Sequence, residues 1–355
     1  MAQRRNKPPT GPTSPAMLSL LDFHEGLHLK DTPLWFDAQE PKELCFVSSA
    51  MVPGGYRHGK VLTTATTAEL MRAMGAAYGR GRRVHEPQIL VTPFGRPFSL
   101  GQLRLELFPS GYVLGASSLL IEHQNKRVVY AGQLSVAPHG LAERLEARRC
   151  DLLVLPYPRG VSDSDVPTEE EVTADIVSFV EESFDCRQVP VLLCPPLAAG
   201  PQVAHALAKR GISLKLHRHL FAAFRVYARL GGLLDMSRMR RYRGQLDVVR
   251  RPEALLWPVG LHQSPALAKL SRARRAVVGA RAAEPAYRAD LGCCAGFVLG
   301  PRGGVEGLIE YIKASGPRQV VFVGGEPDAD LRAAIAAAGV DVCHLGPTEQ
   351  LSLDL

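Results

Sequence analysis

Phe108-Pro-Ser-Gly-Tyr-Val-Leu-Gly115 and, further on, Tyr130-Ala-Gly-Gln-Leu134 are the stretches on which the reading of this chain turns. The first sits between two runs with strand character, 103–108 and 119–123, and the second closes a third run, 127–130. Similar runs over 44–47, 88–91 and 152–155 make the first 155 residues strand-rich. Between them 67–78 puts Leu70, Met71 and Met74 on one face, which predicts a helix.

Beyond Pro158 the pattern changes. A polar loop, Gly160-Val-Ser-Asp-Ser-Asp-Val-Pro167, leads to Thr168-Glu-Glu-Glu171, whose spacing is that of a capping box. Val172, Ile176, Phe179 and Val180 then give an apolar helical face to about Phe184. Strand 189–193, helix 202–209, strand 214–217 and helix 220–230 follow, an alternation that predicts a parallel α/β unit. Arg238-Met-Arg-Arg-Tyr-Arg243 and Arg272-Ala-Arg-Arg275 fall in or near its loops, the latter just before a strand over 276–278. The C-terminal part alternates again: strand 296–299, helix 305–314, strand 319–323, helix 328–338, strand 340–344.

Composition limits the alternatives. The 355 residues are 46% hydrophobic and 22% charged, values of an ordered globular protein, and no apolar run approaches bilayer length. The first residues, 1–17, are basic and proline-rich without the apolar stretch of a secretory signal, so a disordered tail and a cytoplasmic protein are expected. Cys45, Cys150, Cys186, Cys194, Cys293, Cys294 and Cys343 show no CxxC spacing and read as reduced thiols. Net charge is +7. That favours association with phosphate backbones or acidic partners without establishing it.

The order of these segments resembles the metallo-β-lactamase fold with an inserted β-CASP domain, as in DNA-ligase-associated exonucleases and mRNA 3′-end-processing-factor-like proteins. The resemblance covers roughly 18–351. It implies an α/β protein: an αββα sandwich formed by 18–160 and 291–355, with an inserted α/β domain over 161–290. Family members carry a His-x-His-x-Asp-His loop where this chain has Phe46-Val-Ser-Ser-Ala-Met-Val-Pro-Gly-Gly-Tyr56. Ser49, Met51, Pro53 and Gly54 then stand at the ligand positions, and none offers the imidazole, thiolate or carboxylate that holds zinc.

The departures continue along the chain. Pro109-Ser-Gly-Tyr-Val-Leu-Gly-Ala116 is similar to the family's Pro-Ala-Gly-His-Val-Leu-Gly-Ser, with Tyr112 at the histidine. In Tyr130-Ala-Gly-Gln-Leu134 the neutral Gln133 takes the place of the bridging aspartate, so two divalent cations would lack the anion that offsets their repulsion. Pro156 stands at an acidic position, Arg302 and Gly304 at a late histidine and aspartate, and Gly324 at a final histidine. A metal-activated water has no ligand set in such a site.

The resemblance therefore implies a pseudoenzyme without metal or other cofactor, derived from a metal-dependent exonuclease or hydrolase. It would act as a non-catalytic subunit or scaffold beside an active nuclease, helicase or ligase. The alternatives are a stand-alone module binding DNA or RNA, and a residual nuclease or hydrolase. No membrane partner is expected.

Further residues could bind a ligand. Arg302 would place a cation in the former cleft, able to pair with phosphate or carboxylate or to form a salt bridge. His217 and His219 flank Arg218 after a strand, and Arg238, Arg240, Arg241, Arg243, Arg272, Arg274 and Arg275 could form a basic surface with Tyr242 as a stacking platform. The competing reading is a structural histidine and a solvated charge run. His24, His28 and His58 do not recreate a ligand set by spacing, and Ser48 and Ser49 lack a nucleophile elbow. Gly300-Pro-Arg-Gly-Gly304 and Gly324-Gly325 lack the lysine and hydroxyl of a phosphate-binding loop.

Overall fold

The computed structural model describes residues 18–78, 87–137, 140–157, 167–231, 234–244, 252–300 and 304–346. The tail expected over 1–17, most of the polar loop ahead of Thr168, and Arg302 lie outside these residues.

Three sheets organise the chain. Six strands form the first in sequence order: Leu21–Phe23, Leu27–Leu29, Leu34–Phe36, Leu44–Phe46, Lys60–Thr63 and Gln88–Val91. Its first three strands pair antiparallel and the rest parallel. The second sheet has the spatial order Asp341–Leu345, Gln319–Val323, Leu152–Pro156, Lys126–Tyr130, Ser117–His123, Leu103–Pro109 and Phe98–Leu100. Here the early strands form an antiparallel meander, and those from Lys126–Tyr130 onward run parallel.

Side-chain alternation along the second sheet explains how the layers stack. Leu105, Leu107, Leu119, Ile121, Val128 and Tyr130 meet Leu29, Leu34, Phe36, Phe46 and Leu62 of the first sheet in one shared core. Their neighbours in sequence, Phe108, Leu120 and Val129, point to the opposite face, where Leu308, Tyr311 and Ile312 of helix Val305–Ser315 and Leu331 and Ile335 of helix Ala329–Ala337 cover them. The first sheet's outer face carries Cys45, Val47 and Val61 against Met71 of helix Ala65–Tyr78.

The third sheet is wholly parallel, in the order Met239–Arg241, Ser213–Leu216, Glu253–Pro258, Val189–Cys194, Ala273–Val278 and Ala295–Phe297. Every residue of Val189–Cys194 is buried, as a central strand covered on both faces requires. Helices Glu169–Asp185, Ala199–Lys209 and Arg218–Val226 pack on one face; the short helices Pro265–Ala268 and Pro285–Asp290 lie toward the other. In sequence this sheet falls between Leu152–Pro156 and Gln319–Val323, which pair with each other in the second sheet.

Two expectations are corrected. The arginines of 238–243 were expected in or near loops, but Met239–Arg241 is a strand that pairs with Ser213–Leu216 because Met239 contributes to the core. Likewise Arg274 and Arg275 lie inside strand Ala273–Val278, where Arg274 reaches Glu182 at 3.1 Å and stacks on Phe179. Among the described residues no helix is long and apolar enough to cross a membrane.

The third sheet meets the others through a shared apolar cluster that takes in Leu70, Val113 and Leu114, and Tyr227 adds polar contacts there. The Tyr227 hydroxyl donates to the Leu197 carbonyl at 2.7 Å and accepts from the Leu114 amide at 3.4 Å. Beside it, helix Ala65–Tyr78 packs on Arg218–Val226, and Arg229 pairs with Glu69.

Candidate functional site

Loops converge at the ends of strands Leu34–Phe36, Leu44–Phe46 and Lys126–Tyr130, and the loop after Leu103–Pro109 joins them through the Ser110 hydroxyl, which donates to the Gln133 carbonyl at 2.8 Å. They bring Asp37, Ser48, Ser49 and Gln133 into one hydrogen-bonded group. The Asp37 carboxylate accepts from the Ser48 amide at 2.7 Å, the Ser48 hydroxyl at 2.6 Å and the Tyr130 hydroxyl at 2.9 Å. Next to it the Ser49 hydroxyl donates to Gln133 Oε1 at 2.6 Å and accepts from the Met51 amide at 3.1 Å. Both serines are fully buried.

Enclosure dominates the electrostatics. Burial pushes the Asp37 carboxyl up to about 6, against the smaller opposing pull of its bonds from Ser48 and Tyr130. The same enclosure, together with the adjacent Asp37, holds the Tyr130 hydroxyl well above its ordinary range. The site thus offers neutral donors and acceptors around one carboxyl. Among the described residues no three His, Cys, Asp or Glu side chains group in a way that could hold a metal ion.

Glycines let the loops approach this closely. At Gly132, with φ +61°, a Cβ would lie 2.5 Å from the Ser48 Cβ. At Gly115, with φ +78°, it would lie 2.5 Å from the Thr66 Cβ. The Gly115 carbonyl also takes hydrogen bonds from the Thr64 and Thr67 hydroxyls at 2.7 and 2.8 Å, while its amide donates to Glu143 at 2.8 Å.

The residues singled out from the sequence fall in different surroundings. Ser49 and Gln133 are bonded to each other, and Met51 joins them through its amide. The side chains of Met51 and Tyr112 are half-buried against the same apolar cluster, and that burial raises the Tyr112 hydroxyl above its usual range. Pro53 is exposed. Gly54 is held at φ +82° with a Cβ position 2.7 Å from the Gln39 carbonyl oxygen, so neither histidine nor any other side chain fits this backbone. Pro156 and Gly324 end, or follow, the paired strands Leu152–Pro156 and Gln319–Val323, and Gly304 caps helix Val305–Ser315 without a side-chain bond.

His217 caps helix Arg218–Val226: its Nδ1 accepts from the His219 amide at 3.3 Å, and its ring packs 4.4 Å from that of Trp257. Burial and neighbouring cations depress it to about 4, which keeps it neutral. The His28 ring stacks on Trp35 and its Nε2 meets the Thr32 carbonyl. His58 is buried, with Nδ1 accepting from the Lys42 amide at 3.2 Å. Arg241 and Arg243 line a groove with Lys215, Arg218, Phe221, Arg225 and Arg240.

Asp37 and Tyr130 were missed as site residues. The run Leu34-Trp-Phe-Asp37, a short apolar segment ending in an acid, was the available signal. Glu143 carried none, because its role depends on a backbone amide far from it in sequence.

No family model matches the chain. It is 24% identical over 336 residues to a protein named "Probable DNA ligase" from Opitutus terrae, an alignment taking in 94% of this chain and 32% of that protein. The chain thus spans about a third of the length of this curated relative. It also resembles the crystal structure of a protein of unknown function from Enterococcus faecalis V583. There the TM-score is 0.53 at 14% identity, covering 79% of this chain and 74% of the other, a likeness of fold.

Proposed function

We propose that this chain is a degenerate member of the β-CASP metallo-β-lactamase family that acts in nucleic-acid processing as a non-catalytic subunit or scaffold. One observation carries the reading: the hydrogen bond between Ser49 and Gln133. On the resemblance these two positions hold a zinc-ligating histidine and the aspartate that bridges two metals. Here an uncharged hydroxyl and amide satisfy each other, and a metal displacing them would meet neutral donors of low affinity. The left-handed Gly54 backbone supports the same reading, because the loop is built on a conformation that excludes the family's histidine.

A role with DNA draws on the relative named as a probable ligase, which is about three times as long as the alignment shared with this chain. The proposed division of the chain follows from the same resemblance. The second and first sheets, with their outer helices, form the 18–160 and 291–355 part, and 161–290 supplies most of the parallel sheet. That sheet extends past residue 290 through its Ala295–Phe297 edge strand.

Metal analysis of the purified chain, paired with nuclease assays on single- and double-stranded DNA and RNA over zinc, manganese and magnesium, tests the proposal. The expected result is sub-stoichiometric metal and no cleavage. Stoichiometric zinc with cleavage abolished by Tyr112→Ala would overturn it. Affinity capture from the native host, expected to bring down a nuclease, helicase or ligase, tests the subunit role.

A further inference from the structure

Helix Arg218–Val226 turns two different faces outward and inward. His219, Leu220, Ala223, Phe224 and Val226 are buried. Arg218, Phe221, Ala222 and Arg225, at i, i+3, i+4 and i+7, form the opposite stripe and line a groove of about 700 Å³. Arg240 and Arg241 of the edge strand Met239–Arg241, with Arg243 just beyond it, complete the lining together with Lys215 and Glu253.

Among the described residues the charges of this groove do not balance. Lys215 and Glu253 pair at 3.3 Å and neutralise each other. That leaves Arg218, Arg225, Arg240, Arg241 and Arg243. Among the described residues none of the five has a carboxylate within ion-pair distance. Five guanidinium groups around one concavity repel one another, and a polyanion relieves that repulsion. Arg218 and Arg241 also both act on His217, so the field of the arginines extends to the helix start.

The groove also has an aromatic group in the right place. Phe221 is half-buried between Arg218 and Arg225, which stand seven residues and so about 10 Å apart along the helix. Forked cations that grip phosphate oxygens, alternating with an aromatic face, are what single-stranded nucleic acid requires: backbone contacts for affinity and a surface on which a base stacks. A duplex buries its base faces and would leave Phe221 unused. An acidic peptide would use the arginines alone.

We propose that the groove between the Arg218, Phe221, Arg225 stripe and the Arg240–Arg243 edge binds the phosphate backbone of single-stranded nucleic acid, with one base stacked on Phe221. The assignment rests on the nucleic-acid role proposed above and gives it a location lined by residues other than those of the Ser49–Gln133 group.

The test is fluorescence anisotropy on the purified full chain. The probe is a labelled oligothymidylate of about 20 nucleotides, titrated from about 50 to about 300 mM KCl, with a duplex of the same length and polyglutamate as competitors. Wild-type affinity should fall linearly with salt on logarithmic axes. Arg225→Ala combined with Arg241→Ala should weaken binding about tenfold or more and flatten the slope by about 1.4, or 0.7 for each lost phosphate contact. Phe221→Leu should weaken binding about tenfold and leave the slope unchanged. Thermal melting of each variant serves as the folding control, and Arg243→Ala, at an exposed position outside any strand or helix, is a second probe of the same surface.

If the chain binds oligothymidylate but the variants bind as wild type does, the groove is not the site, while the nucleic-acid role stands. Competition by duplex or polyglutamate as strong as by the single strand overturns the choice of ligand. Absence of binding to every oligonucleotide removes both this assignment and an intrinsic nucleic-acid role.

Discussion

The Ser49 hydroxyl and the Gln133 side chain, 84 positions apart in sequence, meet at 2.6 Å and satisfy each other inside the protein. Their bond ties the loop after strand Leu44–Phe46 to the loop after strand Lys126–Tyr130, one from each of the two stacked sheets. Gln133→Ala removes the acceptor and leaves a fully buried hydroxyl without it, which should lower stability by about 1–2 kcal/mol. Gln133→Glu keeps an acceptor in place and should lose less. Urea unfolding of the two variants beside the wild type measures both.

Asp37 should be more sensitive. Its carboxylate takes three hydrogen bonds at a backbone φ of +44°, a conformation that asparagine tolerates and alanine does not. Asp37→Ala should therefore destabilise by roughly 3–4 kcal/mol, and Asp37→Asn by about 1 kcal/mol, in the same unfolding experiment.

The pH dependence follows from the same residue. Burial raises the Asp37 carboxyl from 3.8 to about 6 in the folded chain, so the native state holds this proton more tightly than the unfolded one. Its contribution is most favourable below about 4 and is lost as pH climbs to about 6, a decline of roughly 2–3 kcal/mol from this group alone. Comparing wild type with Asp37→Asn between these limits isolates it: the variant should lack this component of the slope.

Gly115 carries a backbone requirement that alanine cannot meet. Its φ of +78° and a Cβ position 2.5 Å from Thr66 predict that Gly115→Ala costs about 3 kcal/mol or more, read as a lowered melting temperature. Thr66→Gly would remove the contact with the Thr66 side chain but neither the 2.9 Å approach to the Thr67 amide nitrogen nor the unfavourable dihedral, so it should recover only part of the loss.

Thr168 offers a quieter case. Its hydroxyl accepts from the Glu171 amide at 3.2 Å while the Glu171 carboxylate accepts from the Thr168 amide at 2.8 Å, the reciprocal pair of a capping box. Thr168→Ala should lower stability by about 1 kcal/mol, with Thr168→Ser close to wild type in chemical denaturation.

These residues also show what the sequence made legible. The Thr168 box and the apolar face behind it are local, and helix Glu169–Asp185 begins where the spacing places it. The long strands were equally readable, since 319–323 carries its burial in a run of adjacent residues and 103–107 alternates buried Leu103, Leu105 and Leu107 with Arg104 and Glu106. The strands Leu21–Phe23, Leu27–Leu29 and Leu34–Phe36 were not, because three residues are too few for a periodic signal and their pairing, not their propensity, makes them strands. Strand Glu253–Pro258 was missed as well, although Leu255 and Leu256 are buried on its two faces.

The candidate site follows the same division. That the segments around Ser49 and Gln133 belong together was legible from the resemblance, but the bond between them was not, since a serine and a glutamine announce no partner. Arg241 and Arg243 were visible as charges. Their relation to Arg218 and Arg225 was hidden, because it is created by the parallel pairing of Ser213–Leu216 with Met239–Arg241.

On the proposed reading, the backbone at Gly54 makes the change around Ser49 and Gln133 difficult to reverse. A histidine introduced there by one substitution would arrive in a left-handed turn, pressed against the Gln39 carbonyl, and the loop would have to be redrawn before that residue could serve any purpose. On the proposed reading, descent from an active ancestor has passed a ratchet: each later variant inherits a turn that penalises the first step back.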